Sequence, residues 1–344
     1  MGLLNFIIRR LLLMVLILVG VTVIVFSIMM LLPPGQRVSV YVQDERVNNQ
    51  QIEALIEKYG LNDPAPVQYW RWIKGVMQGD FGYSVVAVAP VLEAFRNYFP
   101  VTLELVLLAA PLIIMTGVWL GTKAATNKDT PIDHGTRIFA IVGYSLSTFW
   151  LGLMLLMLFY GNFGIFPPGV LSNDGLDVLH GEEFQRYTRL LLIDSILNWR
   201  WDMFWDTLYH LLLPAFNLVL LSSAMILRLT RSSMLDSLGQ DYIRTALAKG
   251  ADKKLIERKH ARRNALIPVI TVSGLLFAGL MAGMVITETI FNRPGIGLWM
   301  ADAALRLDVS AIMFNVLFLS AIYVFMNLIV DIVYAYVDPR IRLS

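Results

Sequence analysis

The chain of 344 residues has no cysteine. That excludes a disulfide scaffold, thiolate chemistry and any Cys-ligated zinc or iron–sulfur site. Charge is also scarce: Asp, Glu, Lys and Arg make up 16% of the residues, against about 25% in soluble domains. The net charge of +2 offers no basic face, so no nucleic-acid partner is expected. No G-x-x-x-x-G-K-[ST] phosphate loop occurs, so the chain does not hydrolyse ATP by that route and is not expected to be an enzyme. No His, Asp and Glu cluster has metal-site spacing, so no bound metal and no cofactor are expected. What the chain has in excess is apolar: 57% of residues are hydrophobic and the mean hydropathy is +0.62. The expected class is an all-α polytopic membrane protein.

Crossing the hydrocarbon takes about 20 apolar residues as a helix. Six segments qualify: 11–32, 100–121, 139–160, 207–227, 266–289 and 312–334. All 28 Lys and Arg fall outside them, and the only carboxylates inside are Glu104, Glu288 and Asp331, each near a segment end. That partition supports the assignment, because a charge at mid-bilayer costs several kcal/mol. The first segment is read as a retained span, since its apolar run exceeds a signal peptide's and ends in Leu-Pro-Pro-Gly with no small-residue cleavage site. Orientation follows from the basic residues. The side holding residues 1–10, 122–138, 228–265 and 335–344 carries 17 Lys and Arg on 75 residues; the other side carries 11 on 135. Six transmembrane helices with both termini cytoplasmic are therefore expected.

The chain divides into residues 1–32 with the first span, an extracytoplasmic loop domain over 33–99, and a membrane core over 100–344. In the outer loop, Ile52, Leu55, Ile56 and Tyr59 recur at helical spacing and Gly60 stops the helix. Tyr69, Trp70, Trp72, Phe81 and Tyr83 follow. An aromatic belt at the membrane surface and a small folded cap that meets an external partner both fit this run. The outer loop 161–206 holds seven Asp and Glu against three Lys and Arg. It reads as a solvated surface, or as an attractor for a basic partner.

The inner loop 228–265 is the most informative stretch. Asp241 is placed to cap a helix start, "YIRTALAKG" is rich in helix formers, and Gly250 permits a left-handed stop. A second helix, "DKKLIERKHARRNAL", leads into the fifth span. A short helix across the inner face suits a cytoplasmic partner, or rests on anionic membrane lipid. Within the spans Ser145, Ser147, Trp150, Asn217, Ser222 and Ser223 are candidates to line a translocation path, although such groups usually bond to neighbouring helices. His210 and Pro214 read as a cap or kink.

The stretch "DYIRTALAKGADKKLIERKHARRNALIPVITVSG" (241–274) resembles the coupling loop of the dipeptide, oligopeptide and nickel group of ABC importer permeases. Arg244-Thr245-Ala246 stands where the family's Glu-Ala-Ala triplet lies, with Gly250 as the motif glycine. "YGLNDPAPVQYWRWIKGVMQGDFGYS", "TETIFNRPGIGLWMADAALRLD" and "NLIVDIVYAYVDPRIRL" are similar to further family blocks in the same order. The departures are the acidic insert around 171–206 and Val309-Ser310 in place of the family's usual Tyr-Pro.

The resemblance implies a type I permease fold. It also implies a second homologous permease, two cytoplasmic ATPase subunits that use ATP and Mg, and an extracytoplasmic solute-binding protein. Asp241, Tyr242, Arg244, Thr245, Ala246 and Gly250 would form the helix that docks on an ATPase, in an inner (cytoplasmic) membrane. The implied cargo is a short peptide, then an oligosaccharide, with nickel as a further alternative. The rival reading is a self-sufficient carrier or channel. Such carriers often place charge near mid-bilayer, and these spans lack it.

Overall fold

A computed structural model describes residues 3–38, 49–181 and 184–337. Among these, five helices are long and apolar enough to cross a membrane: Ile8–Met29, Val91–Thr126, Trp201–Leu238, Lys253–Met281 and Val309–Tyr334. A sixth apolar segment is a pair, Pro131–Ser145 and Thr148–Asn162, bent by 102°. Five of the six expected spans are thus continuous helices, and the expected third is a bent pair that makes a sixth span if it crosses as one. At the break Leu146 and Ser147 are extended, with ψ of 138° and 135°. Neither Pro nor Gly causes it; serines on both sides favour turns and caps over helix interiors. The fifth expected span also ends early, at Met281, and the chain turns through Gly283 (φ 103°) into a separate short helix.

The molecule consists of two compact units. One comprises the described residues up to Thr102, with Met281–Glu288 and Pro294–Phe325. Its helices include α1 (Leu3–Met29), α2 (Pro34–Arg37), α3 (Asn49–Lys58) and α4 (Ala65–Met77). A hairpin of β1 (Tyr83–Ser84) and β2 (Ala89–Pro90) follows. Gly60, at φ 59°, lies just past α3, as the sequence pattern expects. The outer aromatics divide between a packed cluster and an exposed surface. Trp72 is buried with Val25, Phe26 and Met29 of α1, and Tyr69 meets Phe26 edge-on at 5.3 Å. Trp70 is left exposed. Buried Arg37 donates to the side-chain oxygen of Gln68 at 2.7 Å and to the Leu61 carbonyl at 3.1 Å.

The other unit holds Leu103–Leu280, Thr289–Arg293 and the described residues from Met326. Its elements are most of α5 (Val91–Thr126), α6 (Pro131–Ser145), α7 (Thr148–Leu155, continuing as a π-helical turn to Asn162), α8 (Asn173–His180), α9 (Leu191–Leu197) and α10 (Trp201–Leu238). The chain continues through α11 (Asp241–Ala248), α12 (Lys253–Leu255, followed by a π-helical turn over Ile256–Ala261) and α13 (Arg262–Met281). The long helix α10 is the mast. Where α5 passes it, a Cβ on Gly117 would lie 3.0 Å from the Ser223 carbonyl oxygen, and one on Gly121 would lie 2.7 Å from that of Leu227. Where α6 passes, a Cβ on Gly143 would lie 3.0 Å from the Leu220 carbonyl oxygen. Residues 117–121 read G-x-x-x-G, the small-residue pattern that lets membrane helices approach closely.

The acidic outer loop is partly a solvated surface, as its composition suggests: Asp174, Asp177 and Asp202 are exposed. It also has a folded interior. Leu171, Phe184, Leu191 and Met203 form a core within it. Two of its carboxylates, with Glu104 of α5, meet the loop's own amides: Asp194, fully buried, accepts from the Thr188 and Arg189 amides at 2.8 Å each. Asp206 accepts from the Ser172 amide at 3.0 Å, and Glu104 from the Leu192 amide at 2.6 Å. A folded loop must find acceptors for its own amides, and these acids supply them.

The glycine contacts make a stability forecast. Gly121→Ala should destabilise the purified chain by about 1–3 kcal/mol through overpacking. Gly135→Ala, on α6 with nothing within 4 Å of its new Cβ, should be neutral or slightly stabilising. Thermal unfolding in detergent, followed by tryptophan fluorescence, compares the two; equal midpoints would contradict the close approach to α10.

Candidate functional site

The inner-loop helix α11 is built as the sequence expects, except at its first residue. The capping position is Gln240, which makes no side-chain cap bond, and Asp241 is the first helical residue. Asp241 is therefore not the cap. Its charge instead complements the exposed amide end of the helix. The other end closes with a Schellman pair. The Ala251 amide donates to the Ala246 carbonyl at 3.1 Å and the Gly250 amide to the Leu247 carbonyl at 2.9 Å. Gly250 sits at φ 79°, a conformation that disfavours any residue with a Cβ. Asp252 then caps the next helix, accepting from the Lys254 amide at 3.2 Å.

This helix has two distinct faces. Ile243 is buried, and Ala246 packs beside it against Met234, Ile256, Ala261 and Ala265. These come from α10, the π-helical turn and α13, so α11 is seated on the ends of two long helices. The outer face presents Asp241, Tyr242, Arg244, Thr245 and Leu247, all exposed. Arg244 lies 3.5 Å from Asp241, with 77% of its side chain in solvent, so the pair is loose. Tyr242 accepts from the Asn264 amide nitrogen at 3.0 Å, which fixes its ring direction. Thr245 donates to the Asp241 carbonyl at 3.0 Å and strengthens the first turn. Composition had not singled out Leu247, which is 53% exposed. It stands one turn after Ile243, so helical spacing alone would place it on the seated side, and only the tertiary structure leaves it open.

Of the six path candidates, three lie at the break in the third span and three in α10. Ser145, Ser147 and Trp150 are exposed around the break in the third span. Asn217 and Ser223 are fully buried in α10, and Ser222 is half-buried. Neither side-chain atom of Asn217 has a hydrogen-bond partner, and neither does the Ser223 hydroxyl. Buried polar groups of this kind are costly. They mark α10 as polar at its centre without defining a ligand site. His210, also buried, has Nδ1 at 2.8 Å from the Asp206 carbonyl, consistent with a local tie at the start of α10. Among the described residues no group of three His, Asp or Glu is placed to hold a metal.

Comparison with known proteins decides the family. Residues 113–343 match the family described as the binding-protein-dependent transport system inner membrane component, and residues 3–106 match its N-terminal counterpart. The chain belongs to this permease family. The dipeptide transport system permease protein DppB of Alkalihalophilus pseudofirmus is 38% identical, with 97% of this chain and 98% of the relative covered. The oligopeptide transport system permease protein AppB of Bacillus subtilis is 39% identical, with 98% and 99% covered. The probable D,D-dipeptide permease DdpB of Escherichia coli K12 is 39% identical, with 95% and 94% covered. The protein is thus a multi-pass inner-membrane permease subunit of an ABC importer.

One residue pair in the permease escaped the sequence reading. Asp133, at the start of α6, is fully buried. Arg231 of α10 grips it twice, Nε to Oδ1 at 2.6 Å and Nη2 to Oδ2 at 2.8 Å. The Asp129 amide adds a third bond at 3.1 Å. The two residues are 98 positions apart, so no local pattern announces them. Arg231 lies less than one turn before Met234, on which α11 is seated. The clamp therefore ties the seat of α11 to α6.

Removing one partner of such a pair is costly because it strands the other charge. Asp133→Ala should destabilise the permease by about 3 kcal/mol, and adding Arg231→Leu should restore much of that loss. A double-mutant cycle by thermal unfolding in detergent reads the coupling; additive losses would deny that the two act as a pair.

Proposed function

We propose that this permease forms half of the translocation path of an ATP-driven importer of short peptides. The observation that carries the peptide assignment is its close relation, over nearly its full length, to permeases named for dipeptides and oligopeptides. Oligosaccharide and nickel have no comparable support. Its path would be completed by a second, homologous permease, and an extracytoplasmic binding protein would deliver the peptide. Two cytoplasmic ATPase subunits would supply the energy, using ATP and Mg, since this chain carries no phosphate loop.

The proposed docking element is α11, with the side bearing it cytoplasmic and both chain termini on that side. The excess of Lys and Arg there supports the orientation. The two-faced build of α11 supports the role. Ile243 and Ala246 hold the helix to its own core, while Tyr242, Arg244 and Leu247 remain exposed for a partner. Tyr242 and Leu247 would enter a groove on the ATPase, and Arg244 would meet an acidic residue there. Asp241 and Thr245 keep the first turn helical, and Gly250 ends the helix sharply. A helix transmits a pull when it is rigid and seated at both ends. Nucleotide-driven closure of the ATPases would move α11, then α10 and α13, switching the path between inward-facing and outward-facing states.

Leu247→Glu is the cleanest test, because Leu247 is exposed and its loss does not open the core. It should weaken recovery of the ATPase subunits with the tagged permease by roughly thirtyfold, a hot-spot loss of about 2 kcal/mol. Ala246→Glu and Gly250→Pro should abolish ATP-dependent dipeptide uptake by proteoliposomes while the chain stays in the membrane. Normal uptake by these variants would overturn the coupling role. ATP-independent uptake by the permease alone would favour a self-sufficient carrier.

A further inference from the structure

A groove of about 1090 Å³ lies between α5 and the continuous helical run from Lys253 to Met281. Both walls change character at the same level. On α5 the four-residue repeat runs Met115, Trp119, Lys123. On the facing run it goes from Lys254, Arg258 and Arg262 to Leu266 and Ile270. Lys253 also lines the basic end, and Glu257 is the only acid among the lining residues. Lys123, Lys253, Lys254, Arg258 and Arg262 are all exposed, and among the described residues no ion pair engages them. Met115 and Trp119 are 66% and 60% exposed, so the apolar end is uncovered as well.

Eight residues separate Lys123 from Met115, and eight separate Arg262 from Ile270. At 1.5 Å per residue each apolar wall runs about 12 Å below the basic rim. One leaflet of hydrocarbon is about 15 Å thick. The groove therefore matches a molecule with an anionic head and an apolar chain that lies along the bilayer normal. We propose that it is a binding site for an anionic phospholipid, its headgroup lying at the end lined by the five basic side chains and one acyl chain lying against Met115, Trp119, Leu266 and Ile270. Thr122 and Ser273 also line the groove with buried hydroxyls that lack a partner.

Charge decides against the other occupants. A peptide brings an ammonium group along with its carboxylate, and one glutamate is a poor match for it. A homologous permease is subject to the same positive-inside bias and would bring like charge to the rim. An anionic lipid satisfies both ends of the groove, and basic pockets between helices are a recurrent site for such headgroups. The assignment of the leaflet as cytoplasmic rests on the orientation proposed above; the site itself does not.

The test uses the assembled transporter in mild detergent, titrated with phosphatidylglycerol or phosphatidylcholine and followed by native mass spectrometry. The wild type should prefer phosphatidylglycerol. The triple variant Lys253→Gln, Lys254→Gln, Arg258→Gln should lose roughly 100-fold of that preference, about 1 kcal/mol for each charge removed. Lys259→Gln, outside the groove, should not change it. Val118→Trp, which fills the groove and keeps every rim charge, should also displace the lipid. An unchanged preference in the triple variant overturns the proposal. So does a photo-crosslinker at Trp119 that captures the second permease or a peptide instead of lipid. Recovery of the ATPase subunits in the same preparations reports on α11 separately, so failure of docking and failure of the lipid site are distinguishable.

Discussion

Close approach of helix backbones to α10 is the constraint on which the second unit depends. Lipid tails are as apolar as leucine, so helices in a membrane gain little from hiding apolar surface from one another. They hold together by contact at short range and by internal polar bonds. Gly117 and Gly121 of α5 and Gly143 of α6 bring those helices to within contact of the α10 backbone. Past the apolar part, where small residues no longer suffice, Asp133 and Arg231 take over with a buried bidentate pair. The same end of α10 supplies Met234 to the seat of α11. A force applied to α11 therefore enters a helix that is already fixed to two others.

The carboxylates follow a second logic. Glu104, Asp194, Asp206, Glu288 and Asp308 all accept bonds from backbone amides. Glu288 takes the Leu298 amide at 2.8 Å and the Thr102 hydroxyl at 2.6 Å, at the start of a helix over Ile296–Leu305. Asp308 takes the Ala311 amide at 3.1 Å at the start of the last span and the Ser84 hydroxyl at 2.6 Å from the hairpin. The amides they receive lie in loops, at a cap or in the first turn of a helix. Near a membrane, such segments need acceptors within the protein, because water is scarce and unpaired amides are expensive. Asp194 and Asp206 thus serve the folding of the outer loop.

Sequence reading was sound where the physics is local. Spans follow from the length of apolar runs, and the stop at Gly250 follows from the conformations open to glycine. The helix over residues 49–58 follows from the spacing of Ile52, Leu55 and Ile56. It was less sound where one residue's neighbours decide its role. Asp241 has the chemistry of a cap, yet Gln240 takes the position because the preceding turn ends there. Ser145 and Ser147 flank a break that spacing along the chain does not announce.

Taken alone, the sequence determined the membrane class, the number of spans, the charge asymmetry between the two sides and the family. All of these depend on composition or on ordered motifs, which survive without knowledge of contacts. Only the tertiary structure decided which face of α11 is seated and which is open. It alone joined Asp133 to Arg231 and turned Asp194 and Asp206 onto backbone amides. It also aligned two apolar-to-basic helix faces into one groove. Those outcomes depend on residues brought together from distant positions, and spacing along one helix carries no information about the helix opposite.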